Sequence, residues 1–131
     1  MINIFLYKFT KKIMEDNNKN SYKVVLVGES GVGKTCIITQ YIEEVFDDKV
    51  TTTNAATFSS KVVELENQKV KFDIWDTAGQ EIYRSIGKIF YKGAKAVIFV
   101  YAITDPNSFN EIKKYWYNQI KENTPKDVNK F

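Results

Sequence analysis

One eight-residue segment constrains this chain more than any other feature. Gly28–Thr35 has the sequence GESGVGKT and fits the pattern G-x-x-x-x-G-K-[ST]. The residues before it, Tyr22–Val27, form the short β-branched run of a buried strand, and from Lys34 onward apolar residues recur at helical spacing. A glycine-rich turn between a strand and a helix aims backbone N–H groups at phosphate oxygens. The segment therefore predicts a loop that binds nucleotide phosphates.

Side chains in this loop have predicted roles of their own. Lys34 supplies a point charge for the outer phosphates, and the Thr35 hydroxyl is a ligand for Mg²⁺. The alternative, a glycine-rich turn with a chance lysine, is disfavoured because eight positions and both flanks agree. The residues predicted to bind nucleotide here are Gly28, Glu29, Ser30, Gly31, Val32, Gly33, Lys34, Thr35 and Cys36.

A second segment, Trp75–Glu81, has the sequence WDTAGQE and follows a predicted strand. Asp76 at the strand end can hold Mg²⁺ through water, and Gly79 lets a backbone N–H approach the terminal phosphate. The amide of Gln80 both donates and accepts hydrogen bonds, so it can orient an attacking water as the catalytic residue. Taken alone, the segment also suits a capped turn that opens a helix. Beside a phosphate loop, the nucleotide interpretation is favoured.

The remaining pattern predicts the order β-α-β-β-α-β-α, an α/β P-loop NTPase sheet that is mostly parallel with one hairpin. The other predicted elements are strands Phe58–Leu65, Lys69–Trp75 and the central Ala94–Tyr101, a turn at Glu66–Gln68, and helices over Glu81–Lys92 and from Thr104-Asp105-Pro106. In Lys69–Trp75 apolar and polar residues alternate, which predicts one half-polar face near a sheet edge. Residues 15–20 are polar and predict a linker. Residues 1–20 are therefore expected to be an extension of unknown role, and residues 21–131 a partial domain.

Composition excludes several classes of function. The 131 residues suit one domain, and the net charge of +3 gives no reason to expect a nucleic-acid partner. Cys36 is the only cysteine and there is no histidine, which excludes disulfide frameworks, His/Cys zinc sites and imidazole triads and suits a reducing, cytoplasmic compartment. No apolar run reaches the roughly 18 residues of a membrane span. Ile2 excludes myristoylation, and the chain has no C-terminal cysteine for prenylation.

Both segments, together with Tyr83–Ser85, Tyr91–Ala94 and Val100–Thr104, resemble small GTPases of the Ras superfamily, above all the Rab branch that organises vesicle traffic. The resemblance covers roughly residues 21–125 and implies a six-stranded sheet with switch loops that order around the γ-phosphate and Mg²⁺. It implies GTP binding and hydrolysis to GDP, and exchange factors, GTPase-activating proteins and effectors as partners. A folded chain is expected to be monomeric, and a complete, lipidated form to act at the cytosolic face of endomembranes.

The resemblance implies two further site residues, each identified by its spacing from Thr35. Thr53, 18 residues after Thr35, matches the second hydroxyl ligand of Mg²⁺, with Thr51 and Thr52 as alternatives of register. The implied metal ligands are therefore Thr35, Thr53 and Asp76. Phe46, 11 residues after Thr35, matches the aromatic residue that packs over guanine. Without the resemblance, the threonines suit an exposed loop and Phe46 the apolar end of a helix.

The sequence also departs from the family pattern. Asn54-Ala55 replaces Ile-Gly, which puts effector recognition in doubt, and Ala102 replaces Asp and Ile82 replaces Arg without removing a phosphate ligand. The Asn-Lys-x-Asp motif that reads guanine is expected near position 134, beyond Phe131. Asn129-Lys130-Phe131 does not match it, since no strand is predicted before it.

Three interpretations follow. The chain is expected to be the N-terminal two-thirds of a Rab-like GTPase that is active when complete. The alternatives are a truncated, non-hydrolysing binding protein or non-functional fragment, and an ATP-using P-loop kinase or ATPase, which WDTAGQE disfavours. Residues 1–131 alone are expected to be inactive and to prefer GTP over ATP only weakly. Ala94–Tyr101 would lie at an unpaired, aggregation-prone edge, and the guanine acceptor is absent from the 131 residues.

Overall fold

The computed structural model describes residues 21–45, 53, 55–65, 68–77, 87–126 and 128–131. The strands are β1 (Ser21–Val27), β2 (Thr57–Leu65), β3 (Gln68–Asp76), β4 (Ala96–Phe99) and β5 (Asn129–Lys130). The helices are α1 (Lys34–Glu43), α2 (Gly87–Tyr91) and α3, which runs through Pro106–Glu111, a π-helical turn at Ile112–Trp116, and Tyr117–Asn123.

The strands form one sheet in the order β2-β3-β1-β4-β5. Among the described strands only the β2–β3 hairpin is antiparallel, and β1 pairs in parallel with both β3 and β4. The predicted α/β fold with a single hairpin is therefore confirmed. The carboxyl ends of β1, β3 and β4 meet at one edge of the sheet, which is where ligands bind in open α/β sheets.

Alternate residues of β1 enter two separate apolar cores. Val24 and Leu26 lie in the core on the α1 side, and Val25 and Val27 lie in the core on the α3 side. Both faces of β1 are thus covered, which is why its sequence is a continuous apolar run rather than an alternating one.

The hairpin follows the predicted alternation. In β3, Val70, Phe72 and Ile74 are buried, while the residues between them are partly exposed. The strand lies one place in from the edge, which β2 occupies. Gln68, predicted in the turn, is instead the first residue of β3; the rest of that turn lies outside the described residues.

The helices begin much as the sequence predicts. The Asp105 side chain caps α3 by accepting a hydrogen bond of 3.0 Å from the Asn107 backbone N–H, with Pro106 in the first turn. Of the helix predicted over Glu81–Lys92, the described part is α2; residues 81–86 lie outside the described residues. None of the described helices is both long and apolar enough to cross a bilayer.

The expectation of an unpaired edge at Ala94–Tyr101 is wrong. The strand is β4, shorter than predicted, and its first residues Ala96 and Val97 pair in parallel with β5. The Phe99 N–H donates to the Phe131 carbonyl at 2.7 Å, and the Phe131 N–H donates to the Val97 carbonyl at 3.0 Å. The sequence does not reveal β5 because its two residues, Asn and Lys, are polar and too few to show a period. Asn129 and Lys130 are therefore strand residues and not part of a loop.

Candidate functional site

The loop between β1 and α1 passes against the carboxyl end of β4. Gly28 has φ +151, and a Cβ built on it would overlap the backbone carbonyl oxygen of Val100. Gly33 has φ +95 and caps α1 without a side-chain hydrogen bond, and the first turn of the helix contains no acidic residue. The glycines therefore let the backbone turn into the helix, whose N-terminal N–H groups can bind an anion.

Lys34 lies across this loop as a buried cation. Its side-chain Nζ donates to the carbonyl oxygens of Gly28 at 2.9 Å and Glu29 at 2.7 Å, and the residue is only 5% exposed. Burial lowers the pKa of the Lys34 ammonium, and the charges of Asp76 and Glu29 oppose that effect. An ammonium has three N–H donors, so these two bonds hold the group in place and still allow a bond to an anion.

Thr35, Thr53 and Asp76 converge beside the lysine, although they come from three separate segments. The Thr35 Oγ1 donates to Asp76 Oδ2 at 2.5 Å and lies 2.6 Å from the Thr53 Oγ1. Asp76 is buried, and its Oδ1 has no hydrogen-bond partner among the residues that the structure describes. Burial raises the pKa of the Asp76 carboxyl, while the Thr35 hydrogen bond and the charge of Lys34 lower it. The structure thus brings together the three residues predicted to hold a metal.

The donor atoms of this cluster fit Mg²⁺. All are oxygens, as a hard divalent cation requires, and the orphaned Asp76 Oδ1 is a buried acceptor that a cation or its water would satisfy. Within the described part of the chain, no three His, Cys, Asp or Glu residues lie close enough to form a metal site by themselves. The cluster therefore suits an ion that also takes ligands from phosphate and water, which is how Mg²⁺ binds at nucleotide sites.

The structure also describes other predicted site residues of the loop. Ser30 and Gly31 are exposed at the tip of the loop, and Cys36 is half-buried in the first turn of α1. Phe46, Gly79 and Gln80, like the alternatives Thr51 and Thr52, lie outside the described residues, and their roles stay predictions.

Three aromatic side chains form a row that the sequence did not predict. The rings of Phe58 and Trp75 are 5.4 Å apart, those of Trp75 and Phe90 are 5.8 Å apart, and Phe58 is 52% exposed. The hairpin register pairs Phe58 directly with Trp75. Pairing the two predicted strands across their turn could have found this contact, but nothing local indicates that Phe90 joins it.

A second missed contact joins the loop to α3. The indole Nε1–H of Trp116 donates to the Glu29 carboxylate Oε1 at 2.9 Å. The two residues are 87 positions apart, so no spacing in the sequence indicates that they meet.

The close approach at Gly28 gives a testable prediction. We expect Gly28→Ala to lower the free energy of unfolding by about 2–5 kcal/mol, because the new Cβ adds an overlap with the Val100 carbonyl to an unfavourable φ. Gly93→Ala is the matched control, since Gly93 has φ +75 and open space around its Cβ position. It should cost only about 1–2 kcal/mol. Equal losses in urea unfolding would show that the approach to β4 is unimportant.

Comparisons with known proteins agree with this site. The sequence profile of the Ras family matches residues 23–131. The chain is 42% identical over 107 residues to Ras-related protein Rab-13 of Canis lupus familiaris, covering 82% of this chain and 52% of that protein. It is 41% identical over 107 residues to Ras-related protein Rab-8B of Homo sapiens, covering 82% and 51%. For Ras-related protein RABE1d of Arabidopsis thaliana the identity is 40% over 108 residues, covering 82% and 50%.

This chain spans about half the length of the curated relatives it matches. The matched region includes the phosphate loop, the Thr35–Thr53–Asp76 cluster and the described sheet from Lys23 of β1 onward. The chain therefore belongs to the Ras family and is a Rab-like small GTPase of the Ras superfamily.

Proposed function

We propose that this protein is a Rab-like switch that binds GTP and hydrolyses it to GDP, and that it serves vesicle traffic at the cytosolic face of endomembranes. The observation that carries the proposal is the convergence of Thr35, Thr53 and Asp76 beside the buried Lys34 at the end of the phosphate loop. In the same proposal, residues 21–131 are part of the GTPase domain and residues 1–20 an extension.

The loop and Lys34 would bind the phosphates. The N-terminal N–H groups of α1 offer an uncapped positive end, and Lys34 adds a full charge already fixed by two backbone carbonyls. Because these carbonyls hold the ammonium before a ligand arrives, little side-chain entropy is lost on binding. The site is thus preorganised for the β- and γ-phosphates.

The hydroxyls of Thr35 and Thr53 and the carboxylate of Asp76 would hold Mg²⁺, which when bound neutralises phosphate charge. Thr53 makes its contact to Thr35 from a segment 18 residues further along the chain. A ligand that bridges the loop and Thr53 would therefore fix that segment, and its loss on hydrolysis would release it. Gln80, by its resemblance to the family residue, would orient the attacking water.

The aromatic row of Phe58, Trp75 and Phe90 supports a role in partner binding. Along the chain, Phe58 follows the segment that contains Thr53, and Trp75 and Phe90 come before and after the segment that follows β3. These two segments match the regions that switch in this family. Phe58 is 52% exposed, so an apolar partner surface can bury it. We propose that effectors contact this row when the two segments are ordered. Exchange factors and GTPase-activating proteins would act on the same segments.

A metal-binding role for Asp76 predicts an effect on magnesium affinity. We expect Asp76→Asn to weaken Mg²⁺ about 10–100-fold, because the amide removes the negative charge while keeping the shape. The measurement is the Mg²⁺ dependence of fluorescent-nucleotide release. Asp73→Asn, on the same strand but bonded to Ser21, is the control and should leave the dependence unchanged. If Asp76→Asn has the same Mg²⁺ dependence as the wild type, Asp76 is not part of a metal site.

Nucleotide competition tests the proposed function directly. Fluorescent GDP is bound to the purified full-length gene product and displaced by GTP, GDP or ATP, and phosphate release is then followed over a single turnover. Displacement by GTP and GDP but not by ATP, followed by slow phosphate release, is the expected result. Displacement by ATP would favour a P-loop kinase or ATPase. Binding of GTP without any phosphate release would favour a non-hydrolysing binding protein.

A further inference from the structure

The π-helical turn in α3 keeps four buried residues on one face. Ser108, Ile112, Trp116 and Ile120 recur every fourth position, and all are buried. In a regular α-helix each fourth residue advances by about 40° around the axis, so this row would turn away by about 120° over its length. The wider turn at Ile112–Trp116 offsets that drift. As a result Trp116 stays on the side of the helix that faces the sheet and the phosphate loop.

The Trp116 side chain is held both by the apolar core around its ring and by a hydrogen bond from its indole N–H. The residue is 2% exposed and belongs to the apolar core that contains Ile112 and Ile120. Its indole Nε1–H reaches out of that core to the Glu29 carboxylate at 2.9 Å. A hydrogen bond to an ionised acceptor is stronger than one between neutral groups, so this contact can hold Glu29 firmly.

Glu29 transmits the contact to Lys34. Its carboxylate accepts from Trp116, and its own backbone carbonyl accepts from the Lys34 Nζ at 2.7 Å. An acidic side chain in a phosphate loop would repel phosphate if it turned toward the ligand. The indole fixes the carboxylate on the α3 side instead, where its negative charge still favours the ammonium form of Lys34.

We propose that Trp116 is a positioning residue of the phosphate loop. Its indole N–H fixes Glu29 and, through the carbonyl of Glu29, aligns Lys34 for the nucleotide phosphates. Helix α3 is thereby coupled to nucleotide affinity. The inference rests on the proposed nucleotide-binding function.

A double-mutant cycle tests this role. Trp116→Phe keeps a buried ring and removes the N–H, and Glu29→Ala removes its acceptor. Each variant is expected to speed the release of fluorescent GDP about 2–10-fold. This is less than the roughly 10–150-fold effect of one hydrogen bond to a charged group, because the contact acts on the nucleotide only through Lys34. The double variant should be no faster than the single variants, because the lost contact is the same. Tyr117→Phe, next in the helix and 45% exposed, is the control and should release GDP at the wild-type rate.

The outcomes distinguish a failure of the positioning role from a failure of the proposed nucleotide-binding function. If the effects of Trp116→Phe and Glu29→Ala multiply in the double variant, the two residues act independently and the positioning role is wrong. If Trp116→Phe does not fold, the test compares the rates of GDP release of Glu29→Ala and Glu29→Gln. The glutamine keeps an oxygen acceptor for the indole N–H, and the alanine does not. Release that is faster in Glu29→Ala than in Glu29→Gln supports the role, and equal rates overturn it. Wild-type protein that binds no guanine nucleotide would contradict the proposed function itself.

Discussion

Replacing Lys34 with alanine is expected to weaken nucleotide binding strongly. The ammonium donates directly into the phosphate loop, through bonds of 2.9 Å to the Gly28 carbonyl and 2.7 Å to the Glu29 carbonyl. Removing one partner of a desolvated, hydrogen-bonded charge pair costs about 2–5 kcal/mol, so affinity should fall about 30–5,000-fold. Titration with fluorescent GDP and GTP measures the loss.

Two controls make the result specific to the loop. Lys121→Ala removes an exposed lysine of α3 and should bind nucleotide as the wild type does. Lys34→Arg keeps the charge, yet should still bind weakly, because the guanidinium is wider than the ammonium and cannot take its place between two carbonyls. Circular dichroism shows whether the variants are folded. A folded Lys34→Ala protein with wild-type affinity would remove Lys34 from the site.

Much of the fold could be predicted from the sequence, because the pattern of apolar residues reflects which faces of each strand are buried in the sheet. The continuous apolar run of β1 indicates burial on both faces, and the alternation in β3 indicates a strand with one half-exposed face. Strand β5 was not readable, because backbone pairing with β4 rather than its two polar side chains makes it a strand. The π-helical turn was also invisible, since a spacing of four is compatible with an ordinary helix.

Parts of the candidate site follow from topology and parts do not. Once β1 and β3 are neighbouring parallel strands, their carboxyl ends must meet, and Asp76 then lies near the loop that contains Thr35. Thr53 lies in a segment without period, so only the family spacing indicated it, among three threonines. The Trp116–Glu29 contact depends on how α3 packs on the sheet, which no local pattern in the sequence encodes.

Hydrolysis by this protein is expected to be slow alone and about 10³–10⁵-fold faster with an activating protein that supplies an arginine, the range found for Ras and its relatives. In phosphoryl transfer, charge spreads over the γ-phosphate oxygens, and a guanidinium stabilises it with several donors at once. The sequence contains a single arginine, Arg84, which follows Gln80, and the segment around Thr53 has none. Lys34 is already bonded to two carbonyls of the loop and cannot take that role. Single-turnover phosphate release, with and without activator, gives the ratio.

Gln80→Leu is the informative companion variant, because it should separate binding from chemistry. The leucine cannot orient a water, so hydrolysis should stop with or without activator, while nucleotide affinity stays at the wild-type value. Arg84→Lys distinguishes an internal arginine from one supplied by a partner. If the slow basal rate is unchanged in Arg84→Lys, Arg84 contributes nothing and the missing charge must come from another residue or from a partner. The opposite result is fast hydrolysis by the protein alone that is lost in Arg84→Lys and unaffected by any activator. It would show that Arg84 itself stabilises the transition-state charge.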